Sequence, residues 1–100
     1  MTVKELTPIT EKDLLEKVKA AISMKGTTYH DDTLSVWINF VKTDLLSAGV
    51  ASEVVGSTLA VGCISQGVDD IWVNKLGAYS DFYNRGADIL RSVKVEGATK

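Results

Sequence analysis

An all-α fold, a small bundle of about four helices in a single domain, is what this chain predicts. Three observations carry that expectation. Apolar residues recur three and four apart over most of 10–93, the period of helices that bury one face. Of 100 residues, 45% are apolar and 24% charged, enough to build a core without disulfides or metal. The pattern is punctuated at Gly26, Gly49, Asn74 and Gly77, residues that favour helix ends and loops.

The first helix starts at Thr10, whose hydroxyl can accept an exposed backbone N–H, while Asp13 suits the positive end of the helix. Leu14, Leu15, Val18, Ala21 and Ile22 line one side, with Glu11, Lys12, Glu16, Lys17 and Lys19 mainly on the other. Gly26 is expected to end this helix, and 26–30 to form a loop, because glycine and threonine weaken helix propagation. Asp31 or Asp32 can cap the second helix, which runs through Leu34, Trp37, Ile38, Val41, Leu45 and Ala48 to a stop at Gly49. Trp37 is read as core. Val36 and Phe40, four apart, add apolar surface on an adjoining face, more than one stripe requires. Such a helix wants neighbours on two sides, the second being either another subunit or another helix of the same domain.

After a short connection containing Ser52 and Gly56, the run Leu59, Ala60, Val61, Cys63, Ile64, Val68 and Ile71 predicts a third, largely buried helix. A buried strand over 58–64 is the rival, disfavoured because apolar residues continue to Ile71. Gly62 and Gly67 each cost about 1 kcal/mol relative to alanine inside a helix, yet small residues permit close backbone approach. Ser80 or Asp81 begins the fourth helix, with Phe82, Tyr83, Ile89, Leu90 and Val93 on its apolar side. Arg91, near its end, can complement the negative carboxyl terminus. The ordered core therefore spans about 10–93, and Met1 to Thr7 and the tail 94–100 are expected to be flexible.

Chemistry is sparse. The 11 Lys and Arg against 13 Asp and Glu leave a net charge of -2, which argues against binding that relies on neutralising phosphates. No window has the length of a signal peptide's apolar core or of a spanning helix, so the chain is read as soluble, without a membrane partner. Cys63 has no internal partner for a disulfide and is read as a small buried hydrophobe. His30, Asp31 and Asp32 are adjacent, and neighbouring side chains rarely converge on one ion; they read as loop and cap. Asp69 and Asp70 point about 100° apart on a helix and have no nucleophile or histidine beside them; they are placed at the exposed end of the third helix. Single glycines without a following Lys-Ser or Lys-Thr hold no nucleotide, and Trp37 and Trp72 lack the interleaved cations of a single-strand binder. No catalytic residue, cofactor site or metal ligand is expected, and the chain is read as a non-enzyme.

Taken in order, LLEKVKAAISM, the DD-initiated DDTLSVWINFVKTDLLSAGV, the DDIW turn and the aromatic and basic YSDFYNRGADIL resemble the head-to-tail connector proteins of long-tailed bacteriophages, the head-completion or adaptor proteins. The likeness spans Leu14 to Val93. It departs from the family pattern at Gly62 and Gly67 and in the stretch ASEVVGSTLA, which leaves the bounds of the third helix open. The resemblance implies a virion structural protein of the neck, made in the host cytoplasm, that forms a homo-oligomeric ring beneath the portal. Such a ring extends the DNA channel without sequence-specific binding and docks the next neck or tail-completion component.

A ring needs one patch that binds a different patch on the next copy. Val36 and Phe40 can supply one side; Trp72, Tyr79 and Phe82 can supply the other or stay in the core. Arg85 completes the candidate surface, unless it simply lies on a solvated face. Lys94 and Lys100 are candidates for ordering against the portal, or else belong to a solvated end. A mildly acidic subunit suits a DNA conduit, since each neutralised phosphate would resist sliding. The alternative is a small helical regulatory or nucleic-acid-binding module, which would need a basic recognition helix; the most positive segment, 85–100, mixes Asp88 and Glu96 with its cations.

Overall fold

Thr10 opens the first helix as its chemistry demands. In a computed structural model, which describes residues 2–3, 5–22, 30–74 and 81–95, its hydroxyl accepts the Asp13 N–H at 3.1 Å. Helix α1, Glu11–Ala21, follows, then α2, Asp31–Ser47; a single-turn α3, Ser52–Val55; a 3-10 turn at Thr58–Ala60; α4, Val61–Asn74; and α5, Asp81–Arg91. The fold is a small all-α bundle with four helices of substantial length. The third of these begins at Val61, because Leu59 and Ala60 lie in the 3-10 turn, and it runs past Asp69 and Asp70 to Asn74. Those two acids are therefore half-buried within the helix, and Asp70 accepts a hydrogen bond from Gln66 at 2.9 Å. The Gly26 stop and the Gly77 interruption lie outside the described residues.

Helix α4 is the centre of the bundle and touches α1, α2 and α5. Ile64 and Val68 are fully buried there, against Leu14 and Val18 of α1, Leu34, Ile38, Val41 and Leu45 of α2, and Tyr83 and Leu90 of α5. Gly67 makes this close packing possible. A Cβ at that position would sit 2.8 Å from Tyr83 Cε1 and 2.9 and 3.0 Å from the two Val41 methyls.

Gly49 ends α2 in a Schellman motif. Its N–H donates to Leu46 O at 3.1 Å and that of Val50 donates to Leu45 O at 3.0 Å, while Gly49 adopts φ +98°, a left-handed conformation that costs a side chain free energy. Arg91 then does for α2 what the sequence suggested for α5. Its guanidinium donates to Ala48 O at 3.4 Å and pairs with Asp88, so a cation stands at the negative end of α2. At the other end of α2, the N-cap is His30, with no side-chain cap bond, and not Asp31 or Asp32. Asp31 instead sits in the first turn, where a carboxylate still favours the helix dipole.

Lys19 departs from the expected solvated face. It is 2% exposed, with its ammonium 2.9 Å from Asp31 and 3.4 Å from Glu16. The hydrogen bond to Asp31 holds the Lys19 pKa above its ordinary value, against the opposing effect of burial. The long aliphatic stem lets a lysine cover apolar surface while its head stays paired, which periodicity alone does not reveal.

The N-terminal segment is tied to the bundle. Ile9 N–H donates to Gly56 O at 3.0 Å and Thr58 N–H to Thr7 O at 2.9 Å. Strand β1, Thr2–Val3, pairs in parallel with β2, Lys94–Val95, Thr2 opposite Lys94. The chain thus brings 2–3 and 94–95 side by side, at positions outside the helical period.

Candidate interaction surface

The candidate residues do not converge on one site. Val36 and Phe40 stand on the outer face of α2, 65% and 60% exposed, so the surplus apolar face has no neighbour within the described residues. Trp72 goes the other way. Half-buried near the end of α4, it meets His30 edge-on with ring centroids 5.0 Å apart, and Trp37 edge-on at 5.4 Å. This aromatic cluster joins α4 to the start and middle of α2, so Trp72 has a packing role. Trp37 is half-buried against the core, not enclosed by it. Arg85 is exposed on α5 and Lys94 is exposed in β2. Tyr79 and Lys100 lie outside the described residues, as does the Phe82 side chain.

The α2 face is unusual in its charge. From Thr33 to the end of α2 every exposed residue is uncharged, because Lys42 and Asp44 are half-buried, and Asp44 accepts the Tyr83 hydroxyl at 2.8 Å. A solvated helix face normally carries charges of both signs, whereas the centre of a protein interface is depleted of them. The face around Phe40 has the second character, with exposed Asp32 at its edge, one turn before Val36.

A second surface was not visible in the sequence. Between the 3-10 turn, α4 and α5 lies a groove of about 350 Å³, lined by Leu59, Gly62, Cys63, Gln66, Gly86, Ile89 and Leu90. Leu59 is 42% and Ile89 49% exposed. Gly62 comes from one helix and Gly86 from another, so only the packing of α5 on α4 brings them to the same floor. A Cβ at Gly62 would meet nothing within 4 Å, and one at Gly86 would meet Cys63 Sγ at 3.1 Å.

No family model, curated protein or solved structure matches this chain. Among the described residues no three His, Cys, Asp or Glu side chains come together to hold a metal, and no helix is long and apolar enough to cross a membrane.

Cys63 borders the groove and its thiol donates to Tyr83 O at 3.6 Å. Burial first, and the nearby Asp44 charge second, push its pKa up to about 11 from 9.0. Its thiolate population at pH 8 should thus fall about a hundredfold below that of an unfolded thiol, and iodoacetamide should label it correspondingly slowly until denaturant is added. The folded state holds the thiol proton more tightly than the unfolded chain does, which stabilises the fold. The contribution is complete below pH 9 and is lost as pH rises toward 11, because the unfolded chain releases the proton first. Equal labelling rates in the native and denatured protein would contradict this placement of the thiol.

Proposed function

We propose that this chain is a non-catalytic structural subunit of a tailed-phage neck, a head-to-tail connector whose copies form a ring beneath the portal, extend the DNA channel and present a surface to the next neck component. The observation that carries the reading is the α2 face, where Val36 and Phe40 stand exposed on a charge-poor surface with Asp32 at its edge. An apolar, charge-poor face of this kind is stabilised by covering it, at about 25 cal/mol for each Å² of apolar area removed from water. The order of helices, which resembles the connector family, supplies the identity of the assembly, although the DDIW segment, expected as a turn, lies within α4. The net charge of -2 agrees with a channel through which DNA slides without being held.

The test is negative-stain electron microscopy of the chain mixed with the purified portal protein encoded by the same phage. The expected result is added ring density on one face of the portal, lost with Phe40→Asp while circular dichroism shows helicity retained. A chain that leaves the portal bare and shifts duplex DNA in a salt-dependent way at micromolar concentration is a nucleic-acid-binding module instead, and the connector reading falls.

A further inference from the structure

We infer that the α2 face of one copy seats in the α4/α5 groove of a second copy, with Phe40 and Val36 entering between Leu59 and Ile89 over the Gly62 and Gly86 floor. This names the partner of the assembly surface and rests on the proposal of a self-assembling subunit. Shape is the first argument. Phe40 and Val36 project from a helix at 60% and 65% exposure, and the groove is a concavity of about 350 Å³ whose floor lacks side chains at Gly62 and Gly86. A convex apolar pair and an apolar recess occur on different helices of the same chain.

Charge is the second argument. Each copy carries a net charge of -2, so copies repel weakly at long range and a self-contact belongs where neither side adds charge. The exposed α2 residues from Thr33 onward are uncharged, and so is every residue lining the groove. Exposed Asp32 stands one turn before Val36 on α2 and exposed Arg85 one turn before Ile89 on α5, so the two apolar surfaces carry opposite charges at their edges and a second copy offers to each the surface it lacks.

The consequence is directional. Because knob and recess are different surfaces, a copy that fills its neighbour's groove keeps its own groove open, and the contact propagates until rotation closes it. A two-fold contact of α2 against α2 would instead stop at a dimer.

Two surface variants separate these cases. Phe40→Asp leaves the groove intact and Ile89→Asp leaves the knob intact; both residues are exposed, so helicity should be unchanged by circular dichroism. In sedimentation velocity at tens to hundreds of micromolar protein, the wild-type chain should form concentration-dependent oligomers beyond the dimer, and each variant alone should remain monomeric. An equimolar mixture of the two should form a dimer and nothing larger, since only one of its two possible contacts survives. Wild-type oligomers that persist in Ile89→Asp, or a mixture that stays monomeric, overturn the pairing and leave the connector proposal standing. A wild-type chain that is monomeric throughout this range also overturns it, and the portal experiment then decides the connector proposal separately.

Discussion

Replacing Tyr83 with alanine should destabilise the bundle by about 3–5 kcal/mol, the range for removing a large aromatic from a packed core. Tyr83 is 1% exposed and its ring edge lies at the position where Gly67 lets α4 and α5 approach Val41 of α2. Removing the ring leaves a void shared by three helices, none of which can move inward without disturbing the other two. The hydroxyl matters less. Its bond to Asp44, at 2.8 Å, joins a carboxylate that is only half-buried, so water can replace it, and Tyr83→Phe should cost about 0.5–1.5 kcal/mol. Domains of this size are stable by about 5–15 kcal/mol in total. Tyr83→Ala should therefore lower the thermal midpoint by well over 10 °C, at about 4–8 °C per kcal/mol. Urea unfolding followed by circular dichroism measures both variants. An alanine variant within 1 kcal/mol of wild type would mean that α5 does not pack as described.

The features legible in the sequence are those that depend on one helix at a time. Leu14 and Val18, and Leu34, Ile38, Val41 and Leu45, fall on buried stripes as their spacing requires. Thr10 caps and Gly49 terminates because each acts through its own backbone neighbourhood. Val36 and Phe40 were legible as surplus, since a helix with one neighbour buries one stripe and these two residues lie beyond it. What required the third dimension was every feature made by two elements. Lys19 reads as a surface residue until Asp31 on the next helix is brought within 2.9 Å. Trp72, left open in the sequence between interface and core, is seen to pack on Trp37 and His30 only once α4 meets α2. The groove needs Gly62 and Gly86, 24 positions apart, on one floor. The short turn at Ser52–Val55 has no period to detect, because a single turn is too brief to show one.

Gly67 and Gly62 lie in the same helix and make the same two-term comparison with opposite expected results. In a helix interior alanine gains about 1 kcal/mol of helix propensity, and less in the first turn, where Gly62 lies. At Gly62 the new Cβ meets nothing within 4 Å, so Gly62→Ala should stabilise the fold, by up to about 1 kcal/mol. At Gly67 the Cβ would lie 2.8–3.0 Å from Tyr83 and Val41, well inside van der Waals contact with side chains that are themselves buried. Overpacking of this kind costs about 1–3 kcal/mol and more where several neighbours must move together, and here the obstructing atoms belong to two other helices. The steric cost wins, and Gly67→Ala should be net destabilising by about 1–2 kcal/mol, the opposite sign to Gly62→Ala. The cause can be isolated with Val41→Ala, which removes two of the three crowding atoms. The Gly67→Ala, Val41→Ala double variant should then be more stable than the sum of the single changes allows, by at least 0.5 kcal/mol in a double-mutant cycle. Additive behaviour, or a Gly67→Ala variant that is stabilised as Gly62→Ala is, would show that α4 does not approach α2 and α5 as closely as these contacts state.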